Sequence, residues 1–316
     1  MTMVDGMSDV EGEQPLPPAI LGSLSPSRAA DFKTCPLLYR FRTVDRLPEQ
    51  PSADQVRGTL VHAVLERLFD LPADSRTPEA AADLVAPTWE SLVEQDPALG
   101  GLFAAAAVAE PALTTGLPGF DGAESEVARL AAFLGGARVL LDGYFAVEDP
   151  RRLEPAERES LVSTLVDDEL LIRGYIDRLD VSPGGELRVV DYKTGGAPRE
   201  AFEGRALFQL KFYALVLWRT RGVVTRVLRL LYLKDAEVCD YSPDAEELTR
   251  FERTLVALSQ AVERAKRERD FRPQPSRLCG WCSFKAYCPE FGGTVPPYPE
   301  TVVEASDLPV VVESME

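Results

Sequence analysis

The stretch that decides the fold is Gly174-Tyr175-Ile176-Asp177-Arg178-Leu179-Asp180, a turn through Ser182-Pro183-Gly184-Gly185, then Val189-Val190-Asp191-Tyr192-Lys193. Apolar residues alternate along Leu171–Asp177 and Leu187–Lys193. That is the period of a strand, and the segment between them is turn chemistry. Side chains two apart on a strand share a face, so Asp191 and Lys193 project together. Asp177, expected at the end of the first strand, is placed to face the same side, with Asp180 as its rival. Two acids and one amine then meet at a sheet edge. Carboxylates that close repel unless a cation lies between them. Mg2+ or Mn2+, bound through oxygen, is the natural cation. Asp-x-Lys is a common sequence, and the hairpin taken alone reads as a solvated surface salt bridge. Other constellations in the chain decide between the two.

Downstream, a helix is expected at about 203–219. It carries Gln209 and Tyr213 one turn apart, with Leu207, Leu210, Ala214 and Leu217 as the stripe that packs on a sheet. Residues 159–193 supply three strands and Arg226–Leu233 a fourth. Upstream, a helix over 54–70, with Asp54 as its cap, carries Gly58-x3-His62-x3-Glu66. His62 and Glu66 lie on one face, and His62 is the only histidine. A lone histidine on an amphipathic helix is commonly structural, so its role depends on what surrounds it. Ser25 and Pro26 suit the cap and first position of another helix, which leads into a stretch where basic and aromatic residues interleave (Phe32 to Arg42). Residues 72–150 read as an Ala-rich helical insertion without chemistry, either a cap over the site or added core. Residues 244–269 form a long amphipathic helix with a basic end. The whole reads as α/β, a central mixed sheet flanked by helices.

The chain has 316 residues, 45% hydrophobic and 27% charged, the composition of a globular protein with one large core. Residues 1–22 read as a disordered acidic tail and 292–316 as an acidic, Pro-rich one. Removing the ten acids of residues 1–22 and 290–316 takes the net charge from −17 to −7, so any nucleic-acid contact must be a local basic track. No run of about eighteen apolar residues predicts a membrane span. Met1–Gln14 lacks the apolar segment of a secretory signal, and a cytoplasmic location is expected.

Five cysteines stand at 35, 239, 279, 282 and 288. Without a secretory context a disulfide framework is not expected, and three clustered cysteines read first as metal ligands. Cys239, at a strand end, reads as a small hydrophobe. Cys35, followed by proline as Cys288 is, reads as the fourth ligand. Zinc sites pair their cysteines two and two, whereas one-plus-three suits an iron–sulfur cluster better.

Together these residues resemble the RecB-type branch of the PD-(D/E)XK nuclease superfamily, over about 23–70 and 159–291. Leu24-Ser-Pro-Ser27 with Cys35-Pro-Leu-Leu-Tyr-Arg-Phe41 resembles that branch's opening segment. Gly58-x3-His62-x3-Glu66 resembles its histidine motif. Gly174-x2-Asp177-Arg-x-Asp180 and Asp191-Tyr-Lys193 resemble its metal and lysine motifs, and Gln209-x3-Tyr213 the motif that follows. Cys35, Cys279, Cys282 and Cys288 are similar to the iron–sulfur staple of AddB-type and CRISPR-associated nucleases. The resemblance implies a restriction-endonuclease-like core spanning 23–291 as one domain, with the insertion 72–150 and the cysteine cluster 279–288. It implies a Mg2+- or Mn2+-dependent DNA exonuclease of repair or recombination, acting on single strands or ends and carrying a [4Fe-4S] cluster. Asp177, Asp191, His62 and the Tyr192 carbonyl would hold the metal, His62 in its neutral form. Lys193 would orient or deprotonate water. Glu66 would steady His62 or a second metal's waters. Gln209 and Tyr213 would touch the DNA backbone or brace Lys193. No Gly-x4-Gly-Lys-Ser/Thr loop is present, so ATP use is not expected. The alternatives are an inactive DNA-binding module of this fold and a zinc-stapled interaction protein.

Overall fold

In the computed structural model, residues 22–103, 122–197 and 203–300 are described. The expected N-terminal tail up to residue 21, the loop near 114–119 and the tail beyond 300 lie outside them. Seven helices and six strands follow in the order β1 (Gly22–Leu24), α1 (Pro26–Thr34), α2 (Pro36–Tyr39), α3 (Ala53–Leu68), α4 (Pro78–Gln95), α5 (Gly122–Val147), β2 (Glu157–Val166), β3 (Leu170–Val181), β4 (Leu187–Lys193), α6 (Glu203–Arg221), β5 (Val227–Tyr232), β6 (Glu237–Tyr241) and α7 (Ala245–Glu268). Short 3-10 and π turns join them. This is the mixed sheet flanked by helices that the alternation predicts.

The sheet runs β1-β3-β4-β5-β6, with β2 on the other edge of β3. β3 pairs with β1 in parallel at residues 170–172 and with β4 antiparallel at 178–181. Those two strands therefore share one edge of β3 and leave residues 173–177 between them. Asp177 lies inside β3 at this split and does not end a strand, as the alternation had suggested. β1 and β6 add to the four expected strands. β1 is three residues long and is held by pairing with a segment almost 150 residues away, which no local pattern signals.

Local chemistry sets the elements. Gly185 adopts φ 81° in the β3–β4 turn, and Ser182 Oγ accepts the Glu186 N–H at 3.0 Å. The β2–β3 turn places Asp167 and Asp168 at φ 52° and 56°, the left-handed pair of a tight hairpin. α3 starts one residue earlier than expected, at a capping box in which Ser52 and Gln55 satisfy each other's backbone donors. Ser25 caps α1, and Pro26 is its first residue. Cys35 ends that helix in an extended conformation, because the residue before a proline is kept out of the helical region.

Two cores sandwich the sheet. α6 and α7 bury Leu210, Phe212, Leu217, Leu248 and Leu255 on one face. α3, α4 and α5 bury Leu60, Val64, Trp89, Leu141 and Tyr144 on the other. The insertion is therefore part of the second core. Contrary to the composition reading, Glu126–Val147 is long and apolar enough to cross a membrane, with a mean hydropathy of 1.4. It nevertheless packs Phe133, Ala137, Leu140, Leu141 and Tyr144 into this core. A third, small core gathers Leu37, Tyr39, Phe41, Val262, Phe271 and Phe284, with Val295 and Tyr298 against it. Arg40 donates to the Pro296 carbonyl at 2.6 Å. The folded body thus reaches beyond the boundary at 291, because Tyr298 is stacked on Phe271 and lies under the guanidinium groups of Arg40 and Arg269.

Candidate active site

The split in the sheet exposes backbone groups that the ladder no longer pairs. β3–β4 pairing stops at Arg178 and Val190. The next N–H on β4, that of Tyr192, donates to Asp177 Oδ2 at 2.7 Å. The Tyr192 carbonyl faces His62 Nε2 at 2.9 Å. The backbone of one residue thereby fixes both Asp177 and His62. The Tyr192 ring anchors it from the opposite face, accepting from Arg178 Nη1 at 3.0 Å and lying edge-on to His62. Gly58 lets α3 come this close to the end of β4: a Cβ there would stand 3.1 Å from Thr194 Oγ1.

The imidazole's other nitrogen, Nδ1, lies 3.5 Å from Asp177 Oδ2 and 3.6 Å from Glu159 Oε1. Glu159 comes from β2, at φ 43°, a left-handed conformation that costs a non-glycine residue energy. His62, Glu159 and Asp177 each offer a ligand atom within 4.8 Å of the others. Sequence reasoning missed Glu159. Its flanking residues pair Arg158 with Arg178 and Ser160 with Ile176, which sets it opposite Asp177. Only that register places it in the site. Glu66, one turn from His62, is exposed, and the carboxylate beside the imidazole is Glu159 instead.

Asp191, buried at 1% exposure, lies outside the triad and pairs with Lys193 Nζ at 2.6 Å. The pair is off the hydrogen-bond line, so Asp191 Oδ2 remains a buried oxygen without an aligned donor. Lys193 donates to Gln209 Oε1 at 2.8 Å, and Gln209 Nε2 donates to the Tyr213 hydroxyl at 3.0 Å. Asp180 is held by Arg178 and Arg188 at 3.1 and 2.8 Å.

Electrostatics show a surplus of negative charge. Burial, and then the charge of Asp191, push Asp177 up to about 7. Burial alone would lower His62, but the hydrogen bond to Glu159 and the charges of Asp177 and Asp191 overcome it and raise the imidazole to about 9. Without metal, the three carboxylates that face His62 therefore hold it protonated at neutral pH, and taking a metal would require it to give up that proton. The triad, with the charge of Asp191 beside it, fits a divalent cation.

The family pattern of the PD-(D/E)XK nuclease superfamily matches residues 23–289. The chain belongs to this superfamily. It is 27% identical over 290 residues to the Gene 69 protein of Mycobacterium phage D29, covering 84% of this chain and 96% of that protein. It is 33% identical over 127 residues to the Gene 69 protein of Mycobacterium phage L5, covering 39% and 41%. A solved structure from Eubacterium rectale, named "Putative exonuclease", aligns with a TM-score of 0.46 at 9% identity, over 82% of this chain and 86% of that one. Nucleases of this superfamily use divalent metals, and the acidic group at the sheet split stands where one would be held.

Beside this acidic group a cleft of about 540 Å3 is lined by Ser25, Ser27, Asp31, Tyr175, Gln209 and Tyr213. At the far end of α1, a second cavity is lined by Cys35, Cys279, Cys282 and Cys288 together. Cys239 lies on β6 at the margin of the first core. The Gln274 N–H donates to Cys35 Sγ at 3.4 Å, and the Ser276 N–H to Cys279 Sγ at 3.3 Å. Burial and the three other thiols push the Cys288 thiol up. Four sulfurs around one zinc stand about 3.8 Å apart. Among the described residues no three thiols come within 4.8 Å of one another, so they do not form a closed single-ion site.

Proposed function

We propose that this protein is a Mg2+- or Mn2+-dependent deoxyribonuclease that hydrolyses DNA phosphodiesters as an exonuclease, on single strands or ends, in repair or recombination in the cytoplasm. The observation that carries the reading is the His62–Glu159–Asp177 group at the sheet split, beside Asp191 and Lys193. Asp177, Asp191, Glu159, His62 Nδ1 or Nε2 and the Tyr192 carbonyl would hold the metal. When bound, a divalent ion supplies charge to polarise the phosphate and lower the pKa of a coordinated water.

The chain's own residues do the rest. Gln209 and Asp191 hold Lys193 Nζ in one place, where the ammonium would orient the attacking water and steady charge on the phosphate. Tyr213 fixes Gln209 in turn. The Tyr192 peptide keeps Asp177 and His62 from drifting apart. Near the cleft, burial and the charges of Arg173 and Arg46 lower the Arg28 guanidinium despite the pull of Tyr39. Such a crowd of cations suits a polyanionic substrate in an otherwise acidic chain.

The four cysteines of the staple would hold a [4Fe-4S] cluster. They line one cavity, and two of them accept backbone N–H bonds of the kind that tune cluster sulfurs. The test is incubation of end-labelled single- and double-stranded DNA with the purified protein and Mg2+ or Mn2+. Metal-dependent shortening of the label from one end is expected. Intact substrate with metal-loaded protein would overturn the reading.

A further inference from the structure

We propose that the outer face of the cysteine module is a stacking platform for single-stranded nucleic acid, with Trp281 as its principal contact. Trp281 is 87% exposed. Phe291, Tyr287 and Leu278 are also exposed, so the module presents four large apolar side chains within fourteen residues. Trp89, by contrast, is buried in the second core. Among the described residues, the exposed indole contributes nothing to a core.

Charge selects the occupant. The chain carries −17, yet Arg277 and Lys285 stand in the turns that carry these side chains, against the single acid Glu290. Lys285 links the two turns: its Nζ donates to the Gly280 carbonyl, next to Trp281, at 2.6 Å and stands 5.9 Å from the Phe291 ring centroid. Arg277 opens the same 3-10 turn that ends at Trp281. An exposed indole beside cations fits a base whose own face is open and the phosphates that flank it. Paired bases in a duplex bury those faces in the stack, so an unpaired strand is the partner.

The placement connects the platform to the cleft. α1 runs from Ser25, which lines the cleft, to Cys35, which lines the cysteine cavity. Its nine residues rise roughly 14 Å. The two ends are also tied by side chains: Asp31 of the cleft wall pairs with Arg42, Arg42 with Glu49, and Glu49 accepts from Ser283 of the module at 2.9 Å. A strand stacked on Trp281 can continue along α1 to Lys193. The inference deepens the nuclease reading and rests on it for the strand's destination, but not for binding itself.

The experiment compares the full-length protein with Trp281→Ala, Trp281→Tyr and Phe291→Ala, using a labelled thymidine oligomer of about 16 nucleotides, the upper end of single-strand site sizes. Binding is followed in EDTA by anisotropy and by tryptophan quenching. Trp281→Ala should bind roughly 5- to 100-fold more weakly and lose most of the quenching. Trp281→Tyr should stay close to wild type, Phe291→Ala should be intermediate, and duplex affinity should not move. Visible absorbance and melting temperature identify any variant that loses the module. Should Trp281→Ala do so, the Phe291→Ala and Trp281→Tyr results decide. A folded Trp281→Ala that binds the oligomer as well as wild type overturns the proposal. So does a wild type that ignores the oligomer, or one that dimerises through Trp281 in sedimentation. Wild type that binds through Trp281 but cleaves nothing with Mn2+ would leave the platform standing and sink the nuclease reading. Cleavage with unaltered Trp281→Ala binding would do the reverse.

Discussion

At the scale of single residues the centre is a set of carboxylates that only a cation reconciles. Asp191 and Lys193 lie within 2.6 Å on one strand face, so each restrains the other. Asp191→Asn or Lys193→Ala should lower cleavage about 100-fold or more, as loss of a ligand or proton-transfer group does, with the far-UV spectrum unchanged. Normal turnover by either variant would refute the site. The metal-free protein should also report its charge surplus through pH. Asp177 is raised from 3.8 to about 7 in the folded state, so the unfolded carboxyl ionises first and stability falls as pH rises through that window. His62 is raised from 6.5 to about 9, so its contribution is complete below 6.5 and is lost as pH rises through 9. Both act in the same direction. In EDTA the melting temperature should therefore decline from about pH 4 to pH 9. Mn2+ should restore more of it at the alkaline end, where fewer protons must be displaced. Glu159→Gln should make the upper part of that decline shallower and weaken Mn2+ binding, measured by calorimetry. A flat profile in EDTA would contradict the charge assignment.

At the scale of elements, the site depends on close approaches that glycine permits. A Cβ at Gly174 would stand 2.7 Å from Tyr213 Cε1 and 3.3 Å from Pro26 Cδ. The Tyr213 ring is buried and cannot swing aside. Gly174→Ala should therefore cost about 1–3 kcal/mol, the usual range for overpacking. It should also slow cleavage by disturbing the Tyr213–Gln209–Lys193 chain of hydrogen bonds. Urea unfolding and single-turnover rates measure the two effects. A stable, fully active variant would show that β3 and α6 have slack that the geometry does not suggest. The helices of the insertion belong to this scale as well. α5 buries Phe133, Leu140, Leu141 and Tyr144, and each large apolar side chain contributes roughly 1.5–3 kcal/mol by leaving water. That burial explains why a helix apolar enough for a membrane lies on the sheet.

At the scale of the whole molecule, a cluster held as proposed by Cys35, Cys279, Cys282 and Cys288 would tie residue 35 to residues 279–288. A crosslink over a loop of this length restrains the unfolded chain by on the order of 4–5 kcal/mol on the loop-entropy account. Cys35→Ser or Cys279→Ser should therefore lower the melting temperature and the iron content. Cys239→Ser, on β6, should change neither. Iron retained by Cys35→Ser and lost by Cys239→Ser would overturn the assignment of the four ligands. Zinc in place of iron would keep the staple and replace the cofactor. The third core limits the damage: Phe41, Phe271, Phe284 and Tyr298 pack there without metal. Loss of the cluster should therefore loosen the module before it disturbs the sheet split.

Sequence alone determined the parts of this protein that are local. Period-two alternation with a Ser-Pro-Gly-Gly turn is a hairpin wherever it occurs, and it put Asp191 and Lys193 on one face. The i, i+4 spacing put Gln209 beside Tyr213, and a proline after Cys35 ended α1. The mixed sheet with flanking helices followed from the order of such patterns. Tertiary structure decided what depends on pairing between distant segments. Glu159 enters the site through the register of β2 against β3, which no spacing within β2 encodes. The split that holds Asp177 exists because β1, three residues long, occupies one part of an edge that β4 occupies elsewhere. The protonated state of His62 depends on carboxylates drawn from three strands, and electrostatic fields add in space rather than along the chain.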